Sequence, residues 1–467
     1  MYTKKSHIHF VGIGGIGMSG IAIILKQSGY TVSGCDPDTD QDTVEQLRSL
    51  GCSVHTGNNT DSCNDVTIDV LVYIPMYATT IPAVSTEIAQ AQARGIPTIS
   101  RARMLAELMR TKYSIAIAGS HGKTTTSSLI AHILIEANID PTVIIGGQLK
   151  NLSSNARKGN GDFLVAEADE SDRSFLQLHA TLAVITNIDL EHLETYVDLD
   201  DIKQSFKQFI NNLPFYGKAI VCIDDENIQS LLPIKHIKTI SYGIEHQADF
   251  YARNITLNAD HSLFTVYTKN SPIPLGNIML PMPGTHNIYN TLGAITLARE
   301  LAIDFETITQ SIASFGGIER RFSFGGTYKG AEIFDDYGHH PTEIKNTLMV
   351  ARKRAHNKLI VVFQPHRYTR TQNLWADFLT TFATSNIDSL IITDIYSAGE
   401  YPIATITSKR FVQELASLNP PFTVHYIPSD DSFDHIKQKI TRSVGKNDLI
   451  LFLGAGKVHT IIQEIAE

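Results

Sequence analysis

Along most of this chain, short runs of consecutive apolar residues alternate with longer stretches whose apolar positions recur every three or four residues. The first pattern predicts buried strands and the second amphipathic helices, so the repeating unit is β-α-β with parallel pairing. "HIHFVGIG" from His7 predicts a strand, "MSGIAIILKQSG" a helix ended by Gly29, and "YTVSGCD" the next strand. "DVLVYIP" and "IPTIS" continue the unit, and "RARMLAELMR" is a helix leading out of it. A second series opens with "YSIAIAG", a glycine loop and a helix ending near "EANIDP", then runs through "DFLVAEAD", "LAVITNI" and "KAIVCIDDEN". Residues near 240–282 are richer in strand patterns, and "HNIYNTLGAITLARELAI" is a helix with small residues on its buried face. A third series starts near Glu319 with "AEIFDDYG", "KLIVVFQP", "SLIITDIY" and "LILFLGAG".

These series predict an α/β chain of three domains. The first, over 1–107, is Rossmann-like; the second, over 108–318, is a central P-loop ATPase-like domain with a mostly parallel sheet; the third, over 319–467, is again Rossmann-like. The length of 467 residues agrees with about three domains. A net charge of −9 argues against a nucleic-acid-binding surface and against an anionic membrane as partner. Cys35, Cys52, Cys63 and Cys222 show no CxxC spacing, so they are expected as reduced thiols in a cytoplasmic protein. The basic start followed by an apolar run imitates a signal peptide, but glycines break the run and lead into a fingerprint. No apolar stretch approaches bilayer-spanning length. Composition leaves monomer or homodimer open.

The chemistry begins at "IAIAGSHGKTTT". A strand, the run Gly119, Ser120, His121, Gly122, Lys123, Thr124, Thr125 and a helix follow in that order. Free amides at a helix N-terminus attract polyphosphate, and glycine lets the backbone curl round it. Lys123 can then reach the terminal phosphates and the Thr124 hydroxyl can ligate Mg²⁺. This loop has two residues between its glycines, where the usual one has four. Mg²⁺ needs further hard oxygen ligands. The next strand ends in Glu167, Asp169, Glu170 and Asp172, and Glu167 follows the apolar run directly, at the carboxyl end where α/β sites are built. The strand after it ends in Asn187 and leads to His192.

At the start of the chain, Gly12, Gly14 and Gly17 fit G-x-G-x-x-G between a strand and a helix, with Asp36 closing the second strand. Alone, this predicts a nicotinamide dinucleotide and an oxidoreductase. The same geometry grips any pyrophosphate, and a second phosphate loop in the same chain favours a nucleoside-diphosphate sugar. The adjacent His339 and His340 lack a third zinc ligand of suitable spacing. Arg320, Arg321, His366, Arg367 and Arg370 form cationic clusters suited to phosphate or carboxylate.

The combination "HFVGIGGIGMSGIA", "AGSHGKTTT", "VAEADESDRSFL", "TNIDLEHLETY", "PGTHNIYN", "GIERRFSFGG", "DDYGHHPTEI" and "FQPHRYTRT" resembles the Mur ligases, in the same order over nearly the whole chain. The family's shortened loop accounts for the two missing residues. The resemblance implies an ATP- and Mg²⁺-dependent ligase, and within the family the pattern is closest to members that join L-alanine to the lactyl carboxylate of UDP-N-acetylmuramate. It implies metal ligation by Thr124, Glu167 and His192, and catalysis by Lys123, Glu167, His192, His339, Arg367 and Arg370. ATP is expected on Gly119 to Thr125 with His286, Asn287, Asn290, Arg321 and Asp336. UDP-sugar binding is expected at Gly12, Gly14, Gly15, Gly17, Met18, Ser19 and Asp36, and the amino acid at Tyr337, His339, Arg367 and Arg370. The chain departs from the family at "YIPMYATT", where a Ser-rich turn is usual, so contacts around Pro75 to Thr80 are not carried over. The alternatives are a sister ligase that attaches a preformed tripeptide, a relative of folylpolyglutamate synthase, the oxidoreductase, and an ATP-gated regulatory module.

Overall fold

A computed structural model describes residues 6–57, 67–149, 154–430 and 432–466. The basic start at 1–5 and Cys63 lie outside the described residues. Three sheets follow one another along the chain. The first holds β1 (His7–Val11), β2 (Thr31–Asp36), β3 (Ser53–Thr56), β4 (Val70–Tyr73) and β5 (Thr98–Ser100). Its order is β3-β2-β1-β4-β5 and every pair is parallel, the doubly wound arrangement.

The central sheet contains β6 (Tyr113–Ala118), β7 (Thr142–Leu149), β8 (Ser154–Arg157), β9 (Phe163–Glu167) and β10 (Leu182–Ile185). It continues with β11 (Lys218–Cys222), β12 (Lys238–Gly243), β13 (Phe250–Leu257), β14 (Ser262–Thr268) and β15 (Ser271–Leu280). The order β15-β14-β13-β12-β11-β10-β6-β9-β7-β8 puts β6 between β10 and β9, both parallel to it. Helices cover both faces there, so Ile115 to Ala118 and Leu182 to Ile185 are buried without alternation, which is why they read as unbroken apolar runs. Antiparallel pairs occur only toward the edges, at β7/β8 and β13/β14/β15.

The third sheet is built from β16 (Ser323–Tyr328), β17 (Ala331–Asp336), β18 (Leu359–Phe363), β19 (Ser389–Ile392), β20 (Thr423–Tyr426) and β21 (Leu449–Leu453). Its order is β16-β17-β21-β18-β19-β20, parallel apart from β16/β17. No helix among the described residues is long and apolar enough to cross a membrane. Cys35, Cys52 and Cys222 are buried and form no disulfide among the described residues.

The apolar cores divide differently from the sheets. One continuous core runs from Ile8 of β1 through the central domain to Ile318, joining the first two sheets. Helix Ile16–Gln27 seals that joint by lying on β7 and β8: Asn155 Nδ2 donates to the Ile16 carbonyl at 2.6 Å, and Gln46 Nε2 to Ser154 Oγ at 2.9 Å. Helix Arg101–Met109 buries Met104, Leu105, Ala106 and Met109 in the same core, so the expected division at 107/108 falls inside a helix. The third domain packs its own cores on the two faces of its sheet. The molecule is therefore two bodies: the first two domains together, and the third.

Trp375, the one tryptophan, belongs to the second body, where its indole donates to Glu414 at 2.7 Å and meets Phe411 edge-on. Its fluorescence reports on that body alone, whereas far-UV circular dichroism reports on both. In urea titrations the two signals are expected to give separate transitions. A single coincident curve would mean that the cores unfold as one.

Candidate active site

β6 delivers the chain to the phosphate loop at the centre of the largest sheet. Gly122 has φ +82° and caps helix Lys123–Glu136, and Gly119 has φ +139°, where an added Cβ would collide with Thr186 Oγ1. The end of β10 clamps the turn. Thr186 Oγ1 and Asn187 Nδ2 donate to the His121 carbonyl at 2.6 and 2.9 Å, and the His121 amide donates to Asn187 Oδ1 at 2.8 Å. Ser120 Oγ accepts from the Asp189 amide at 2.8 Å. The loop is thus rigid before any ligand arrives, with the first amides of its helix facing outward.

Lys123 folds back over the loop, donating from Nζ to the Gly119 and Ser120 carbonyls and to Glu170 at 2.8 Å. Burial works against its charge, but Glu170 and Asp169 hold it above the usual lysine range. Glu170 Oε2 is buried and accepts no directional hydrogen bond, although Lys123 Nζ lies 2.8 Å from it. On the other side of Glu170, His192 Nε2 stands at 3.5 Å, and also 3.7 Å from Glu191. Despite burial, hydrogen bonding to Glu170 and Glu194 and the charge of Glu191 raise His192 to about 10. Glu191 is held down at about 2, against the effect of burial, by His192, His121 and Arg370.

Of the expected metal set of Thr124, Glu167 and His192, the first two are in contact and His192 faces Glu170. Glu167, the last residue of β9, is half-buried and accepts from the Gly146 amide at 2.7 Å, Ser127 Oγ at 3.1 Å and Thr124 Oγ1 at 3.3 Å. The turn beyond the strand carries Glu170 over the loop. Ligand atoms of Glu170, Glu191 and His192 all lie within 4.8 Å of one another, where two buried carboxylates meet an imidazole held protonated. Glu191 and Glu194 were missed, although they flank His192 in "DLEHLETY". The adjacent positions could have been read as charge partners for it.

The third domain brings its cations to the same place. Arg367 Nη1 donates to Glu194 at 2.9 Å, its Nε pairs with Glu400 at 2.9 Å, and Nη2 points at Met76 Sδ of the first domain at 3.6 Å. Arg370 reaches Glu191 at 3.3 Å and His366 Nδ1 at 3.3 Å. His339 lies 5.4 Å from the Tyr337 ring and 5.7 Å from that of His366. Burial and Arg370 pull His339 down to about 4, so it is neutral. Its Nδ1 lies 3.0 Å from the Tyr337 carbonyl, which can only accept, so Nδ1 carries the proton and Nε2 a lone pair. At Pro341–Arg354, His340 and Glu343 form a capping box. Glu343 also faces His121 Nδ1 at 3.6 Å and Arg321 at 3.9 Å.

Between the bodies lies a cavity of about 420 Å³, within the range of small-molecule sites. His121, Gly122, Thr125, His286, Asn287, Asn290, Arg321 and Asp336 line it, with Gly119, Ser120, Lys123 and Thr124 beside it in the loop. Asp336 has its oxygens engaged by the Phe322 and Gly338 amides, both at 2.8 Å, and by Thr347 Oγ1 at 3.1 Å, so it shapes the wall. Asp189, Asp224, Asn227 and Asn346 also line the cavity; their sequence context carried no signal.

At the first glycine loop, Gly12, Gly15 and Gly17 are partly open and Gly14 is buried. Met18 and Ser19 are fully buried, and both amides donate to the Gly15 carbonyl beneath the loop. Asp36 is 6% exposed and accepts from the Gly14 amide at 2.9 Å and the Asp38 amide at 3.0 Å. It pins the loop in place.

Two helix-capping glycine loops in one body, with a second body closing a cationic wall over one of them, define a nucleotide-dependent α/β protein of three domains. The chain belongs to the Mur ligase family: residues 7–113 match the Mur ligase family catalytic domain, 117–298 the middle domain, and 320–456 the glutamate ligase domain. It is 47% identical over 461 residues to the UDP-N-acetylmuramate–L-alanine ligase of Syntrophus aciditrophicus (strain SB), covering 99% of this chain and 93% of that one. The enzyme of the same name from Geobacter sp. (strain M21) is 47% identical, with 99% and 97% covered. The crystal structure of UDP-N-acetylmuramate–alanine ligase from Thermotoga maritima superposes with a TM-score of 0.81 at 26% identity, covering 98% of each chain. A murein peptide ligase from Psychrobacter arcticus shares the fold, with a TM-score of 0.73 at 24% identity and 98% of each chain covered. Membership in an ATP-dependent ligase family removes the oxidoreductase reading of the first fingerprint.

The His121 imidazole gives a pH test of the loop. Burial opposes its charge, but hydrogen bonding to Asp189 (3.0 Å) and Glu343 raises it from 6.5 to about 10. A raised folded value means its stabilisation is complete below pH 6.5 and is lost as pH rises from 6.5 toward 10. The stability difference between the wild-type chain and His121→Gln, from urea unfolding, is expected to shrink steadily across that window. A difference that stays flat would show that the ring is neutral in the fold.

Proposed function

We propose that the chain joins L-alanine to the lactyl carboxylate of UDP-N-acetylmuramate, with ATP hydrolysis, in the synthesis of a peptidoglycan precursor. The observation that carries this reading is the full-length identity of 47% to ligases of that name, spanning both glycine loops and the third domain. The sugar nucleotide occupies the first loop, with its diphosphate at Gly12, Gly15 and Gly17. ATP occupies the second loop and the interdomain cavity. Alanine is bound by the third domain, its α-carboxylate on Arg367 and Arg370 and its side toward Tyr337 and His339. The domain division at 107/108 and 318/319 belongs to the same reading, as does a cytoplasmic setting where both nucleotides are made.

The chemistry is two successive displacements. A lactyl carboxylate oxygen attacks the γ-phosphorus, the bond to ADP breaks, and an acyl phosphate forms. The alanine amine then attacks the acyl carbon, loses a proton, and the tetrahedral adduct expels phosphate to leave the amide. Lys123, held protonated, neutralises charge on the transferring group, so positioning and electrostatics replace any protein nucleophile. Thr124, Glu167 and His192, once its proton is lost, would hold Mg²⁺, which supplies further charge neutralisation. His339, neutral and with Nε2 unprotonated, is suited to take the amine proton. The third domain keeps water from the acyl phosphate.

Three measurements test this reading. Alanine, glycine, serine and a stem tripeptide are supplied in parallel with ATP and UDP-N-acetylmuramate, and alanine is expected to stimulate ADP release most. Stimulation by the tripeptide alone would transfer the chain to the sister activity. Lys123→Ala should remove the stimulated rate by about 10²–10³-fold, the scale of one lost electrostatic group. Glu167→Gln should raise the Mg²⁺ needed for half-maximal rate, whereas Glu170→Gln, which removes the partner of Lys123, should lower kcat and leave that Mg²⁺ requirement in place. The reverse order would move the metal from Glu167 to Glu170.

A further inference from the structure

Arg101 begins helix Arg101–Met109, directly after β5, and it stands between the two glycine loops. On one side its guanidinium lies against the first fingerprint: a Cβ added to Gly17 would stand 2.5 Å from Nη1. On the other side Nη2 donates to Asp169 Oδ2 of the central domain at 3.0 Å. Asp169 is held ionised, despite burial, by Arg101 and by Lys123 of the phosphate loop. Among the described residues, this is the one hydrogen bond that Arg101 makes, although a guanidinium carries five N–H donors. The side chain is a quarter exposed, and Nη1 is its atom nearest to a Cβ at Gly17. Tyr77, from the divergent "YIPMYATT" segment, lies 3.7 Å from where a Cβ on Gly12 would stand and is in the field of Asp36, Arg101 and Arg367.

Gly17 is the third glycine of the fingerprint and lies in the first turn of helix Ile16–Gln27, whose N-terminus is the end that takes a pyrophosphate. A planar fork with four unused donors beside that position is suited to two phosphate oxygens at once. Asp169 holds the fork from behind and fixes its direction. We propose that Arg101 is a positioning residue that clamps the diphosphate of the sugar nucleotide and ties it, through Asp169, to the body carrying Lys123. This rests on the sugar-nucleotide reading of the first loop and adds a residue outside the fingerprint to it. Its consequence is geometric: the lactyl carboxylate is held at a fixed offset from the phosphate loop, because one side chain touches both.

Calorimetry with UDP, without ATP, tests the clamp directly. Arg101→Ala is expected to weaken UDP and UDP-N-acetylmuramate by the same factor, about ten- to a hundredfold, as for a lost hydrogen bond to a charged group. In turnover, KM for the sugar nucleotide rises while KM for ATP stays in place. Arg101→Lys keeps a point charge without the fork and should fall between the two, which separates lost binding from lost folding. Asp169→Asn removes the interdomain ion pair but leaves the guanidinium, so UDP affinity should be largely kept. Unchanged UDP affinity in Arg101→Ala overturns the proposal, including the case where only the sugar nucleotide weakens. Asp169→Asn losing as much as Arg101→Ala also overturns it, since Arg101 would then be an interdomain staple. A wild-type chain that binds neither ligand overturns the parent reading, and this one with it.

Discussion

The structure turns on an alternating series of charges buried where three domains meet. Lys123 pairs with Glu170, Glu170 with His192, and His192 with Glu191 and Glu194. Glu191 then meets Arg370, and Glu194 meets Arg367. Taking ions out of water is unfavourable unless each finds a counter-charge, so no member of this series can be removed without stranding another. The same series links the phosphate loop to the third domain. In effect the carboxylates occupy the cations that phosphate and the amino acid's carboxylate would use. On the proposed reading, each substrate enters by exchanging one anion for another, which keeps the balance.

This constraint explains why the apolar cores divide as they do. Helix Ile16–Gln27 and the β7–β8 hairpin give the first two domains a common core, so the two nucleotide loops keep a fixed relation. The third domain meets them through polar contacts such as Thr342 Oγ1 to Asp189 at 2.9 Å and Arg367 to Glu194. Charged contacts can be broken and remade in water at little net change, whereas an apolar joint cannot. Hydrophobic burial therefore sets the geometry of phosphoryl transfer, and ion pairs set the approach of the amine.

Much of this was legible from residues alone. Continuous apolar runs marked the parallel strands because both faces of those strands are covered, and the glycines marked the loops because few other residues reach φ +82° or +139°. The helix at Pro341 announced itself through its first-turn proline. What the residues left open was side-chain direction. Glu167 and Glu170 lie three residues apart on a strand and the turn after it, and nothing in their types says which one turns over the loop. Met18 and Ser19 share a motif with open glycines yet are buried, because they start the core face of a helix. The β7–β8 hairpin, which joins two domains, is short, edge-placed and rich in small residues, so it carries no strong period.

The cavity between the bodies adds the last step. Its walls come from both: His286, Asn287 and Asn290 from one helix of the first body, and Arg321, Asp336 and Asn346 from the second. A ligand filling it gains the contacts of both walls only when the bodies are together. A ligand shifts an equilibrium only by its difference in affinity for the two states, and here that difference is the whole second wall. On the proposed reading, a nucleotide in this cavity favours the arrangement in which both walls meet. Asp189 and Glu343, which meet His121 from opposite bodies, make the phosphate loop itself part of the contact that closure forms.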